Sequence, residues 1–424
     1  MSQTTQTQID ARRVVVTGIG AVTPLGLTAA ATWKGCLAGC SGVAPITLFD
    51  ASAHTTRFAA EVKDWDPTLF MDKKDVRRMD RFVQFAVAAA RMGLEDCGVV
   101  VTDDNRDRIG VFIGSGIGGL QTLEEQHSLL LERGPTRVSP ITIPGIICDM
   151  GAGMVSIVLG IRGPNSCVTT ACATGANNIG DAYHVIRRGD ADVIIAGGAE
   201  ACVTPLSIAG FNSARTLSTR NDAPEQASRP FDADRDGFVM GEGSGVVVLE
   251  ALDHAVARGA NIYAEVAGYA MTGDAYHITA PAPGHEGLVR AIRLALKSAG
   301  LEPEDVDYYN AHGTSTDLND KNETAALKTA FGDYAYKLPI SSTKSMTGHM
   351  IGATGAVELL VCAMAIKNSI IPPTINYQRQ DPECDLDYVP NQARPTTVDV
   401  AMSNSSGFGG HNAVGIFKRY EPAA

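Results

Sequence analysis

The sequence has no C-x-x-C pair among its nine cysteines and no histidine-rich tract beside them. Cys36 and Cys40 stand four apart, but nothing nearby completes a ligand set. Structural zinc and a disulfide framework are therefore not expected, and the pattern fits a reducing cytoplasm. Positive charge is in deficit, with 35 Lys and Arg against 47 Asp and Glu, a net charge of −12. Nucleic acid is a poor partner for such a surface. Aromatic residues reach only 6%. No apolar run is expected to reach the ~20 residues a spanning helix needs, which argues against membrane insertion. Residues 1–12 are polar and lack the apolar stretch of a signal peptide, so they read as a flexible leader before a strand opening at Val14.

With 424 residues, 45% of them hydrophobic and 44 of them glycine, the chain can bury a large core with tight turns. The order of strands and glycine-rich turns occurs twice. Strands opening at Val14 and Ala264, then at Arg108 and Val306, are followed by a turn and helix after Cys172 and again after Ser341. Closing strands are predicted at 192–197 and 245–250, then at 398–403 and 413–418. Two similar α/β halves follow, 13–260 and 261–424, forming one unit with a shared site at strand ends and helix N-termini. Residues 118–150 and 203–240 read as insertions in the first half, suited to lids, substrate walls or a subunit interface.

Cys172 is the candidate nucleophile. The segment from Gly163 reads as a short buried strand, with Val168, Thr169 and Thr170 β-branched, breaking into a helix that carries Ile179, Ala182, Tyr183 and Ile186 on one face. A cysteine at such a turn meets unpaired N–H groups and the positive end of a helix, which favour a thiolate. Small neighbours, Ala171, Ala173, Gly175 and Ala176, leave room for a substrate. Cys167 instead fits the commoner role of a small buried hydrophobe. His312 follows an apolar strand and His349 precedes an apolar helix, each read at a place matching Cys172 in the other half. A thiolate, two imidazoles and Lys344, without a metal ligand set, suit acyl transfer to sulfur. The oxyanion donors would be the Cys172 N–H and the glycine-rich loop 405–411.

Two motifs have bland alternatives. Lys73, Lys74, Arg77, Arg78 and Arg81 place five basic residues in nine positions, either a solvated helical face or a dock for an acidic partner. Gly114, Gly116 and Gly119 spell a dinucleotide fingerprint, but no acidic residue ends a second strand at the required distance, leaving a tight turn as the better reading.

Four motifs carry a family resemblance: Thr170-Ala171-Cys172-Ala173-Thr174-Gly175, Asn310-Ala311-His312-Gly313-Thr314-Ser315-Thr316, Lys344 through His349, and Gly407-Phe408-Gly409-Gly410. From about residue 12 to 419 the chain resembles the β-ketoacyl-acyl-carrier-protein synthases, thiolase-like condensing enzymes, and among them the type II elongating members. The resemblance implies a duplicated α/β fold in αβαβα layers. It implies Cys172 as the acylated nucleophile, His312 and His349 as the pair supporting malonyl decarboxylation, Lys344 as the lysine that tunes them, and Glu358 as a supporting carboxylate. Ile117 falls on the acyl-pocket wall, Thr314, Thr316 and Gly409 on substrate contacts, and Phe408 on the gate. Lys74, Arg77, Arg78 and Arg215 fall where the family docks its acidic carrier protein.

The reaction so implied is a decarboxylative Claisen condensation of a malonyl group with the acyl group on Cys172. It yields a 3-oxoacyl chain and CO2, needs no metal or cofactor beyond carrier-borne pantetheine, and runs in a cytoplasmic homodimer. Ser406 departs from a common phenylalanine and Asp317 from a common proline, which bears on gate packing and substrate range. A ketosynthase of a dissociated polyketide or specialised lipid pathway is the alternative. A non-catalytic chain-length-factor-like subunit is disfavoured by the presence of Cys172, His312 and His349.

Overall fold

The computed structural model describes residues 12–422. Most of the predicted leader, residues 1–11, lies outside them. Arg12, assigned to that leader, instead pairs with Asp192 at 2.8 Å and Asp253 at 2.9 Å.

One ten-stranded sheet runs through the molecule. Its strands in chain order are β1 (Val14–Val22), β2 (Ile109–Gly114), β3 (Asn165–Ser166), β4 (Val193–Glu200), β5 (Gly243–Ala251), β6 (Ala264–Gly273), β7 (Tyr308–Asn310), β8 (Ile340–Ser341), β9 (Val400–Gly407) and β10 (His411–Lys418). Every residue of β1, β2, β4 and β5 is buried, as expected for apolar strands covered on both faces. The order across the sheet is β8-β7-β9-β10-β6-β1-β5-β4-β2-β3, so the second half mirrors the first about the antiparallel β1–β6 contact.

Seven helices position the site: α1 (Arg81–Cys97), α2 (Met150–Leu159), α3 (Thr174–Arg188), α4 (Pro205–Ser213), α5 (Glu286–Ala299), α6 (Asp317–Phe331) and α7 (Thr354–Asn368). Three apolar cores separate five layers. Phe82, Phe85, Val155 and Ile113 seal α1 and α2 to the outer face of the first half. Leu288, Ile292, Leu327 and Ile416 do the same for α5 and α6 on the second. Between the halves, Ile179 and Ile186 of α3 and Leu359 and Leu360 of α7 pack with Val247 and Ala401. This is the predicted αβαβα arrangement. The 18 residues from Ile351 to Asn368 are apolar enough to pass for a spanning helix, contrary to the expectation that none would. They are 83% buried, because α7 is sandwiched between sheet layers.

The repeat is closer, and differently aligned, than the sequence suggested. A 3-10 turn, Ala171–Ala173, leads into the 15 residues of α3, and a second, Ile351–Ala353, leads into the 15 residues of α7. The first residue of each turn has a left-handed backbone, Ala171 at φ 52° and Ile351 at φ 43°. Such strain in a β-branched residue persists only where surrounding packing imposes it. Cys172 is therefore matched by Gly352, and neither histidine occupies its counterpart. The strand before Cys172 is also shorter than predicted. Only Asn165 and Ser166 pair, at the sheet's edge, and Val168–Thr170 runs on without a strand partner.

Candidate active site

Crossing of the two central helices brings the site together. At Gly175 an added Cβ would lie 2.8 Å from the Ala356 nitrogen and 2.9 Å from the Gly352 oxygen, so only glycine lets the helix starts approach this closely. That approach places the Cys172 sulfur 3.0 Å from His349 Nε2. His312, on the loop leaving β7, stands edge-on to His349 with ring centres 5.3 Å apart. All three side chains are buried and line one cavity of about 600 Å³.

Their electrostatics correct one expectation. Burial pushes the Cys172 thiol up to about 12, against the opposing pull of Lys344 and the Phe408 backbone N–H. The helix start does not yield a resting thiolate, because desolvation outweighs the nearby donors. Burial also holds both histidines well below their usual range, reinforced by Lys344, so each is a neutral imidazole with one N–H. His349 Nδ1 lies 3.1 Å from the Thr354 hydroxyl, which can donate or accept. With Thr354 accepting, Nε2 is free to take the thiol proton. With Thr354 donating, Nε2 carries a proton towards the cavity.

Carboxylates hold this frame. The Glu323 carboxylate accepts from the His312 and Gly313 N–H groups, each at 2.7 Å. Lys344 Nζ donates to Glu358 Oε1 at 2.6 Å, with both side chains 1% exposed. Burial raises Glu323 and Glu358 each to about 7, with Lys344 opposing. Glu200, raised by burial to about 7, accepts from Gly116 and Gly352 and so ties the cavity wall of one half to the turn of the other. Glu200, Glu323 and Thr354 were missed in the sequence. Glu323 and Thr354 sit at no motif position, and Glu200 ends β4 in a run that reads as plain strand.

The cavity wall includes Ile117, Thr314 and Thr316, with the two threonine hydroxyls 2.9 Å apart. Phe408 is 36% exposed and leans on Phe211 of α4, a packing that the Ser406 substitution leaves available. Ser406 itself donates to Asn412 Oδ1 at 2.9 Å. Gly407 lets the loop reach Cys172, since a Cβ there would lie 2.5 Å from the Thr170 oxygen and 3.2 Å from the Cys172 nitrogen. Gly409, predicted to contact substrate, does not line the cavity. It sits at the β9–β10 hairpin tip, where its N–H donates to the Ile278 oxygen. Asp317 opens α6 and pairs with Lys321, a good place for a negative charge at a helix start.

Lys74, Arg77 and Arg78 are exposed around a short helix, Lys73–Val76, and Arg215 is exposed at the cavity mouth. Arg81 drops out of the basic run, because it bonds Glu242 through two nitrogens. The donor atoms of Cys172, His312 and His349 lie within 4.8 Å of one another, a spacing at which three ligands could reach one soft divalent ion.

Comparison with known proteins agrees with this geometry. Residues 11–255 match the family described as Beta-ketoacyl synthase, N-terminal domain, and residues 263–378 match Beta-ketoacyl synthase, C-terminal domain. The chain is 56% identical over 413 residues to 3-oxoacyl-[acyl-carrier-protein] synthase 2 of Synechocystis sp., covering 97% of this chain and 99% of that one. It is 53% identical over 411 residues to the protein of the same name from Coxiella burnetii, with the same coverage of both chains. Among solved structures it resembles the ishigamide ketosynthase/chain length factor, with TM-score 0.91, 39% identity and 97% and 100% of the two chains covered. It also resembles a type II polyketide ketosynthase complexed with its acyl-carrier protein, with TM-score 0.90, 36% identity and the same coverage.

Proposed function

The chain belongs to the β-ketoacyl synthase family, and we propose that it elongates fatty acyl chains as a 3-oxoacyl-acyl-carrier-protein synthase of type II. The observation that carries this reading is the 3.0 Å contact between Cys172 Sγ and His349 Nε2, beside His312, in one buried cavity.

A thiol held at about 12 is deprotonated only as it attacks. As Sγ approaches the thioester carbonyl of an acyl-carrier protein, its proton passes to His349 Nε2, the Thr354 hydroxyl accepting from Nδ1. The tetrahedral oxyanion is met by the N–H groups of Cys172 and Phe408. The carrier thiol leaves with the proton, and the acyl group stays on Cys172. Malonyl-carrier protein then enters, and its thioester oxygen lies against His312 and His349, each now presenting an Nε2–H. Loss of CO2 sends the C–C electron pair into an enolate that these two donors stabilise. The enolate carbon attacks the Cys172 thioester, sulfur departs as a thiolate that takes up a proton from solvent to restore the thiol, and a 3-oxoacyl chain two carbons longer remains on the carrier. Burial keeps both imidazoles neutral, and the positive field of Lys344, paired with Glu358, reinforces it.

Thr314 and Thr316 are suited to the pantetheine arm, Ile117 to the acyl tail and Phe408 to gating between the two half-reactions. Exposed Lys74, Arg77, Arg78 and Arg215 are a dock of the right sign for an acidic carrier, and the solved relative in complex with its carrier protein supports such a partner. Residues 13–260 contribute the nucleophile and acyl pocket, and 261–424 the histidines, lysine and gate. A homodimer is supported by the helix Leu120–Arg133, none of whose residues is buried, by exposed Leu131, Ile143 and Ile157 nearby in sequence, and by the open sheet edge at β3. Nine free cysteines suit a reducing cytoplasm.

The test is the intact mass of the protein after incubation with a medium-chain acyl-carrier protein, beside Cys172→Ala. One acyl group is expected on the native chain alone, discharged as a 3-oxoacyl product by malonyl-carrier protein. Equal labelling of both proteins, or none, would overturn the mechanism.

A further inference from the structure

A third histidine lines the same cavity, and nothing in the two half-reactions above uses it. His285 is 1% exposed, lines the cavity with His312, and has no hydrogen-bond partner on either ring nitrogen. A buried imidazole left so is costly unless a ligand completes it. Its position is imposed: the backbone is left-handed at φ 50°, and its N–H donates to the Ala282 oxygen at 2.8 Å. Non-glycine residues kept in that region cluster at functional sites.

The groups around it are already engaged. Asp274 accepts from Asn412 Nδ2 at 2.6 Å through one oxygen and from the Ala282 N–H at 3.2 Å through the other. Asn412 in turn accepts from Ser406. Arg235, the other basic side chain buried in the wall, is committed to Asp381 at 2.8 Å and Asp320 at 3.4 Å. Burial lowers the His285 pKa, with Asp274 and the Asn412 amide opposing, and His285 and His312 line the same cavity. His285 is thus a neutral N–H donor in the wall of the cavity that also holds the imidazole receiving the malonyl thioester oxygen.

We propose that His285 binds the carboxylate of the malonyl extender, a role that rests on the ketosynthase reading above. That carboxyl group is one carbon away from the thioester carbonyl, so a substrate oxygen at His312 places it within a few ångströms of the same wall. The C–CO2 bond must stand across the thioester plane for its electron pair to enter the enolate, and a donor on one side sets that angle. A full ion pair would oppose CO2 loss, because the negative charge leaves the carboxylate as the bond breaks. A neutral N–H orients the group and releases it. CO2 departs, the electron pair goes to the enolate at His312 and His349, and His285 neither gains nor loses a proton. The acyl tail gives a polar ring nothing to bind. The pantetheine amides are common to both carriers, so the experiment separates them from the carboxylate.

The test compares His285→Leu, which removes the donor, with His285→Gln, which keeps an N–H. Acylation of Cys172 by acyl-carrier protein is expected to stay within about twofold in both. KM for malonyl-carrier protein, measured on pre-acylated enzyme by CO2 release, should rise about 10-fold or more in His285→Leu, as for a lost hydrogen bond to a charged group, with His285→Gln recovering most of it. If His285→Leu does not fold, His285→Asn should show the same selective loss through its shorter reach. An equal rise in KM for both carriers would assign His285 to pantetheine or to the fold and overturn the proposal, as would no change. A native chain that takes no acyl group on Cys172 would sink the ketosynthase reading instead, a distinguishable failure.

Discussion

Gly407→Ala tests whether the loop after β9 is a working part of the nucleophile's surroundings. A Cβ at 407 would lie 2.5 Å from the Thr170 oxygen and 3.2 Å from the Cys172 nitrogen, both backbone atoms with little freedom to yield. Relief requires the loop to withdraw by roughly half an ångström or more, given that non-bonded atoms rest well beyond 3 Å. The Phe408 N–H withdraws with it. Complete loss of an oxyanion donor costs about 10²–10³ in rate, and a 1 Å misplacement about 10². A partial withdrawal should therefore slow Cys172 acylation about 10- to 100-fold, or roughly 1.4–2.7 kcal/mol of barrier. The assay is the rate at which intact mass shifts by one acyl group at saturating acyl-carrier protein. Gly409→Ala is the control. Its φ of +88° makes a side chain strained, but the nearest atoms belong to the His411 ring at 3.2 Å, away from the thiol. That variant should lose melting temperature while acylating within about threefold of native. If Gly407→Ala acylates at the native rate, or both variants slow alike, the loop is not the donor and the argument from close approach fails.

Thr354→Val removes the group that lets His349 switch tautomer and leaves Nδ1 buried without a partner. Acylation and condensation should both fall about 10-fold with the fold intact by circular dichroism, whereas loss of only one would show that a single tautomer serves throughout. Zn²⁺ at micromolar levels should inhibit the free enzyme through Cys172, His312 and His349, and enzyme already acylated on Cys172 should resist; equal inhibition of both would place the ion elsewhere. Asp192 is lowered to about 2, first by its hydrogen bond to Arg108 and then by Arg12. A carboxylate depressed in the folded state stabilises it above the unfolded value near 4 and loses that contribution as pH falls towards 2. The melting-temperature advantage of the native chain over Asp192→Asn should therefore be full at pH 6 and shrink below pH 4, and a pH-independent difference would refute the pairing.

How far the site was legible depends on which physics each residue answers to. Motif chemistry pointed to Cys172, His312, His349 and Lys344, strand order to two similar halves and the family resemblance to their layering, because local residue type and strand order are written along the chain. The strand before Cys172 was overread: Val168, Thr169 and Thr170 have strand propensity but no neighbour to pair with, and pairing is a tertiary event. Arg81 was read as part of a basic face until Glu242, 161 residues away, proved to hold it. Gly409 was assigned by motif position, yet the hairpin carries it to the outer tip.

The sequence alone determined which reactive groups exist and that Cys172 stands at a turn opening a helix, since glycine placement and apolar periodicity are local constraints on backbone and burial. Only the tertiary structure decided that a sulfur and an imidazole 177 residues apart meet at 3.0 Å. It also turned the expected thiolate into a thiol held at about 12 and placed His285 in the same cavity as His312. The reason is the same in each case: distance and desolvation depend on what packs against a group, and that is set by the crossing of α3 and α7 rather than by neighbours in the chain.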